Sequence, residues 1–127
     1  MTTTDDRPTG EVIYKIVDAT EWRDAIRAGQ YEGSADDRRD GYIHLSTGAQ
    51  LAGTARKHFT GRSNLMLIAF LGSSLGPKLK WEPSRGGELF PHLYGPLPTS
   101  RALWSFVLPL DDDGVPRLPQ GLNAAPR

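Results

Sequence analysis

The first departure from a polar chain comes at Val12-Ile13-Tyr14-Lys15-Ile16-Val17, a run of β-branched and aromatic residues that predicts a strand. Asp18 followed by Glu21 resembles a capping box, and Trp22, Ala25 and Ile26 fall at helical spacing before Gly29, a natural left-handed stop. A helix is expected there. Tyr31 to Asp40 is polar and holds Asp36-Asp37-Arg38-Arg39-Asp40, whose mixed charges predict a solvated loop or lid. Asp40-Gly41 then turns the chain into Tyr42-Ile43-His44-Leu45-Ser46. Strand alternation places Tyr42, His44 and Ser46 on one face and Ile43 and Leu45 on the other.

Thr47 and Gln50 form a second capping-box pattern, and Leu51, Ala52, Ala55 and Phe59 supply an apolar stripe up to Gly61. The His44 strand is therefore expected to run directly into a helix N-terminus, where unpaired N–H groups favour an anion. Asn64 to Leu71 is apolar on both faces, as in a central strand. Lys78 to Glu82 reads as a more exposed strand guarded by lysines. Phe90 to Tyr94 reads as a short extended segment that puts Phe90, His92 and Tyr94 on one face. Ala102 to Leu108 reads as the last core strand. Two early helices and several strands without regular alternation predict an α+β fold with small, mostly antiparallel sheets.

Length fits one domain: the chain has 127 residues, enough for a single core. Residues 1–10 read as a mobile arm, 11–110 as the packed domain, and the Asp- and Pro-rich 111–127 as a flexible tail with little to bury. Fifteen Lys and Arg balance fifteen Asp and Glu, so no global field draws the chain to nucleic acid or an acidic membrane surface. The absence of cysteine excludes disulfides, thiol nucleophiles and thiolate metal sites. The longest apolar run, Leu65 to Leu71, is far short of the about 20 residues that span a bilayer, and the N-terminus does not read as a signal peptide. A soluble cytoplasmic protein is the expectation.

Chemistry concentrates on the two histidine segments. A neutral imidazole takes a proton near pH 7 and a nearby hydroxyl positions a substrate oxygen, so His44 with Ser46 and His92 with Tyr94 are the candidate pairs. His44 and Ser46 stand about 7 Å apart along a strand, too far for a Ser–His nucleophile pair. If the two segments lie side by side, their polar groups converge on one cleft. The alternatives are histidines that brace the sheet, and a metal set of His44, His92 and Glu82 or Glu88, which no short ligand spacing supports. His58, late in the second helix, is read as a partner of the helix C-terminus.

Ile13-Tyr14-Lys15-Ile16, Asp40-Gly41-Tyr42-Ile43-His44-Leu45-Ser46, Trp81-Glu82 and Phe90-Pro91-His92-Leu93-Tyr94-Gly95-Pro96-Leu97 together resemble the bacterial family called domain of unknown function 952, over about residues 12 to 108. That resemblance implies an architecture similar to the ADP-ribosyltransferases, with NAD bound in a cleft between two small curved sheets. It implies that His44 and Ser46 orient the nicotinamide ribose and that His92 and Tyr94 supply acid–base or polarising groups. Lys15 stands where those transferases carry His or Arg, Arg62 would meet a phosphate, and Trp81 a flat ring. The chain departs from the transferases in having no Glu in register with the late motif. The expected activity is cleavage or transfer at a glycosidic C–N bond of a nucleotide-like ligand. The alternative is a non-catalytic module that binds a small nucleotide or a protein partner.

Overall fold

In the computed structural model, which describes residues 11–122, the domain is α+β. Strand β1, Val12–Asp18, leads into helix α1, Ala19–Ala28. Asp18 caps that helix by accepting the Glu21 N–H at 3.0 Å, and Gly29 ends it at φ 89°, a conformation that glycine adopts without strain. Asp18→Ala is expected to cost about 1 kcal/mol, read as a lower urea midpoint with an unchanged slope.

The expected loop after α1 is not irregular. It contains β2, Gln30–Tyr31, and a short helix α2, Ala35–Asp40. Ser34 accepts the Asp37 N–H at 3.1 Å and Asp37 Oδ2 accepts the Ser34 N–H at 2.9 Å, a complete capping box. The run of charges hid a helix start of the Ser-x-x-Asp type. Strand β3, Ile43–His44, and strand β4, Ser46–Thr47, then follow with only Leu45 between them. Helix α3 spans Leu51–Phe59. Thr47 N–H donates to Gln50 Oε1 at 3.0 Å and Gln50 N–H to Thr47 Oγ1 at 3.3 Å, so the expected capping box is present one turn ahead of the regular helix. Leu51 and Ala55 are buried as the stripe requires, whereas Ala52 is exposed.

The remaining strands are β5 Leu65–Leu71, β6 Leu79–Pro83, β7 Leu89–Leu93, β8 Leu97–Pro98 and β9 Ala102–Leu108. The main sheet has the order β4-β1-β5-β9, a smaller sheet has β3-β7-β6, and β2 pairs with β8; every pairing is antiparallel. Alternation along β1 sends Ile13 and Val17 to one core with Trp22 and Ala25 of α1. It sends Tyr14 and Ile16 to a second core with Leu51 and Ala55 of α3. The two helices thus cover opposite faces of the main sheet. Central β5 has Leu67, Ile68, Ala69 and Phe70 fully buried, as its two-sided apolar pattern predicts.

Two boundaries differ from expectation. Strand β9 is an edge strand with only Leu108 buried; its apolar sequence resembles a core strand, but no strand flanks its outer side among the described residues. The packed body also continues past residue 110. Leu110 bridges Pro116, Val115 is buried, and Leu118 and Leu122 pack beside it on the second core, because the Asp111 side chain accepts the N–H groups of Asp113 and Val115 and folds the turn back. The arm at 1–10 and the end of the tail lie outside the described residues.

Candidate functional site

Between Ile43 and Thr47 the chain leaves one sheet for the other. His44 pairs with His92 on β7, and two residues later Ser46 pairs with Tyr14 on β1. Strand β4 covers β1 only at Ile13 and Tyr14, so the edge of β1 from Lys15 onward is open. A cavity of about 280 Å³ occupies that junction, bordered by Lys15, Asp37, His44, Ser46, Phe90 and His92, and by Thr54 and His58 of α3.

The juxtaposition of the two histidines follows from register. Residues directly opposite in an antiparallel pair share a face, and the ring centroids of His44 and His92 are 5.6 Å apart. Tyr42 packs over both, at 4.1 Å from the His92 ring and 4.7 Å from that of His44, with Tyr94 5.2 Å away. Tyr42 was expected only to share the face. It forms the aromatic floor of the pair, and burial together with the charges of Asp40, Glu82 and Asp37 raises its hydroxyl above the ordinary value.

Each imidazole is held by a carboxylate. Asp37, 2 % exposed, accepts His44 Nδ1 at 2.6 Å and the His44 backbone N–H at 3.1 Å, and its Oδ2 lies 2.9 Å from the Lys15 ammonium. Burial alone would raise this carboxyl. The bond from His44, the Lys15 charge and the backbone N–H groups of Ser34 and His44 outweigh it and hold Asp37 well below the usual range. Burial in turn pulls the Lys15 ammonium below its ordinary value against the opposing pull of Asp37. Gly33, at φ 107°, passes so close that a Cβ there would lie 2.9 Å from that of Asp37; the position needs glycine on both counts.

On the far side of the same ring, His44 Nε2 is 2.9 Å from Asp40 Oδ2, and Asp40 is itself lowered, first by its bond from Arg39. His44 thus meets a carboxylate oxygen at each ring nitrogen, Asp37 at Nδ1 and Asp40 at Nε2. His92 is set up differently. Its Nδ1 lies 2.8 Å from Glu82 Oε1, which also accepts the Tyr94 hydroxyl at 2.8 Å. These two bonds, the one from His92 first, lower Glu82. With Nδ1 engaged by Glu82, Nε2 is the ring nitrogen of His92 without a carboxylate partner among the described residues. One histidine spans two carboxylates, and the other is held by one at Nδ1.

The remaining expected residues divide. Ser46 borders the cavity and shares a 2.9 Å hydrogen bond with Thr54, not with His44. Lys15 borders it with its charge committed to Asp37. Tyr94 touches the site through Glu82. Arg62 does not line this cavity: its guanidinium lies 4.9 Å from the Phe59 ring centroid, beside a separate hollow of about 170 Å³. Trp81 is opposite Pro91 on β6 and packs against the first core, away from the cavity lining. The Thr47–Gln50 bonds close the turn ahead of α3, whose own N-cap, Gln50, makes no side-chain cap bond and instead donates its amide to the Leu89 carbonyl at 2.7 Å. His58, set aside from sequence, borders the cavity.

Asp37, Asp40 and Glu82 carry the arrangement, and sequence reasoning did not place the two aspartates in it. The Ser34-x-x-Asp37 capping signal was present and would have drawn α2. Nothing local marks Asp37 as the partner of Lys15, 22 residues away.

Residues 16–105 match the model of a family described as protein of unknown function, DUF952. The crystal structure of protein CC0527 from Caulobacter crescentus is similar, at 52 % identity and a TM-score of 0.82, over 84 % of this chain and 93 % of that one. Its solution NMR structure matches at a TM-score of 0.76, 52 % identity, and 84 % and 91 % coverage. No curated protein matches.

Proposed function

We propose, from the premise that this chain belongs to the DUF952 family, that the cavity is an acid–base site for a small nucleotide-like ligand. The reaction is cleavage or transfer at a glycosidic C–N bond. The observation that carries this reading is the opposed pair His44 and His92, each bonded at Nδ1 to a carboxylate, at the edge of one cavity. The ADP-ribosyltransferase-like architecture implied by the sequence belongs to the same reading, with NAD as the first candidate.

In this reaction a water oxygen bonds to the anomeric carbon as its C–N bond breaks. The electron pair leaves with the ring nitrogen, which passes from cationic to neutral, as a nicotinamide would, and needs no proton. The water proton goes to His92 Nε2, and Glu82 stabilises the imidazolium that results. Positive charge that develops on the ribose is favoured by the Asp37 and Asp40 carboxylates that border the cavity. An acceptor hydroxyl in place of water gives transfer. A cavity of about 280 Å³ is at the small end of the roughly 300–1,000 Å³ of ligand sites, so it would enclose a nucleoside-sized part of NAD and leave the remainder outside.

NAD, ADP-ribose or nicotinamide at millimolar concentration is expected to raise the thermal midpoint by mass action, and His44→Ala to abolish the shift. Release of nicotinamide by the wild-type chain would establish turnover. A shift without release would leave a binding module, and no shift with any of the three would remove NAD from consideration.

A further inference from the structure

The large apolar side chains left exposed are concentrated on one strand. Leu103, Trp104, Phe106 and Val107 of β9 are 39–68 % exposed, and the seven residues Ala102–Leu108 include no charge and no proline. Edge strands are ordinarily guarded by lysine, proline, shortness or a twist. By contrast, β6, the edge of the smaller sheet, carries Lys80, Glu82 and Pro83. The register of β9 against β5 shifts at Ala69/Phe70, but Trp104 to Leu108 pairs regularly, so the outer edge there is straight enough to accept another strand. The apolar surface continues around that edge into a groove lined by Trp22, Ile26, Met66 and Val107, where Ile26 is 54 % exposed.

We propose that β9 is the homodimer interface, in which two copies pair antiparallel about a two-fold axis at Ser105 and join their main sheets into one of eight strands. The partner is a second copy because the strand is complementary to itself. With Ser105 opposite Ser105 of the other copy, Trp104 of each meets Phe106 of the other. Directly opposed residues share a face, so the four aromatic rings form one cluster across the axis. The axis makes the contact isologous and closed, which gives an unguarded edge a finite partner instead of an open-ended one. The cavity of His44 and His92 is bordered by β1, β7 and the helices, not by β9, and stays accessible in the dimer.

Sedimentation and light scattering on the full chain test this. The wild-type chain is expected to be dimeric at micromolar concentration, and Val107→Lys and Phe106→Lys monomeric with unchanged circular dichroism, since both side chains are exposed. Because the chain has no cysteine, Ser105→Cys introduces one thiol per copy. Opposed residues in an antiparallel pair have Cα atoms about 4.5–5.5 Å apart, within disulfide reach. Mild oxidation is expected to link Ser105→Cys and not the exposed control Ser63→Cys. A wild-type chain that stays monomeric at submillimolar concentration overturns the proposal, as does a dimer that survives both lysine substitutions. A dimer whose Ser105→Cys form does not link overturns the register.

Discussion

Asp37→Ala is expected to destabilise the protein by about 3–5 kcal/mol, the usual effect of removing one partner from a buried ion pair. Lys15 and Asp37 are 7 % and 2 % exposed. Without the carboxylate, the ammonium is buried with no counter-charge, His44 loses the acceptor at Nδ1, and α2 loses half of its capping box. Urea unfolding with circular dichroism reads the change. Replacing both members, Lys15→Met with Asp37→Leu, is expected to cost less than Asp37→Ala alone, because no unpaired charge is left behind. If the double variant is as unstable as the single one, the ion pair is not the reason.

The same residue sets an acid limit. Asp37 is lowered in the fold, whereas in the unfolded chain an aspartate titrates near about 3.9. As pH falls, the unfolded chain takes up the proton first. The stabilisation from this carboxylate is therefore complete above about pH 4 and is lost progressively as pH falls below it. Asp37→Asn should be less stable at neutral pH and should show a shallower decline in acid.

In the proposed reaction His92 is the base that accepts the water proton, so His92→Ala is expected to lower the rate of nicotinamide release by about 10²–10⁴-fold; because His92 is 3 % exposed, circular dichroism and a urea midpoint are read beside the rate. Glu82→Gln should act in the same direction with a smaller loss. An amide at that position still meets Nδ1, but it no longer fixes the tautomer or stabilises the imidazolium. Tyr94→Phe removes a bond to Glu82 and not to the reacting atoms, so a minor change is expected. Equal losses for Tyr94→Phe and His92→Ala, or a His92→Ala variant as active as wild type, would contradict the assigned roles.

Much of the frame was legible because its signals are local. The alternation of β1, the two-sided apolar run of β5, the Asp18 cap with its Gly29 stop, and the Thr47–Gln50 box each depend on residues a few positions apart. The shared face of His44 and Ser46 follows from the pleat alone. Arg62 and Trp81 were drawn toward the site by residue type and by resemblance. Residue type does not report direction: Arg62 lies on Phe59, and Trp81, half-buried, packs against the first core.

The chain by itself determined where β1, α1, α3 and β5 lie, and that its two histidine segments would carry their polar groups on one face. Only the tertiary structure decided that β3 and β7 are neighbours, so that His44 meets His92. It also decided that Asp37, in a run of five charged residues, is buried against Lys15 while Asp36 stays exposed, and that an apolar β9 lies at an edge. The physical reason is that periodicity is fixed by bonds along the chain, whereas burial and charge pairing depend on which distant segments close over a residue.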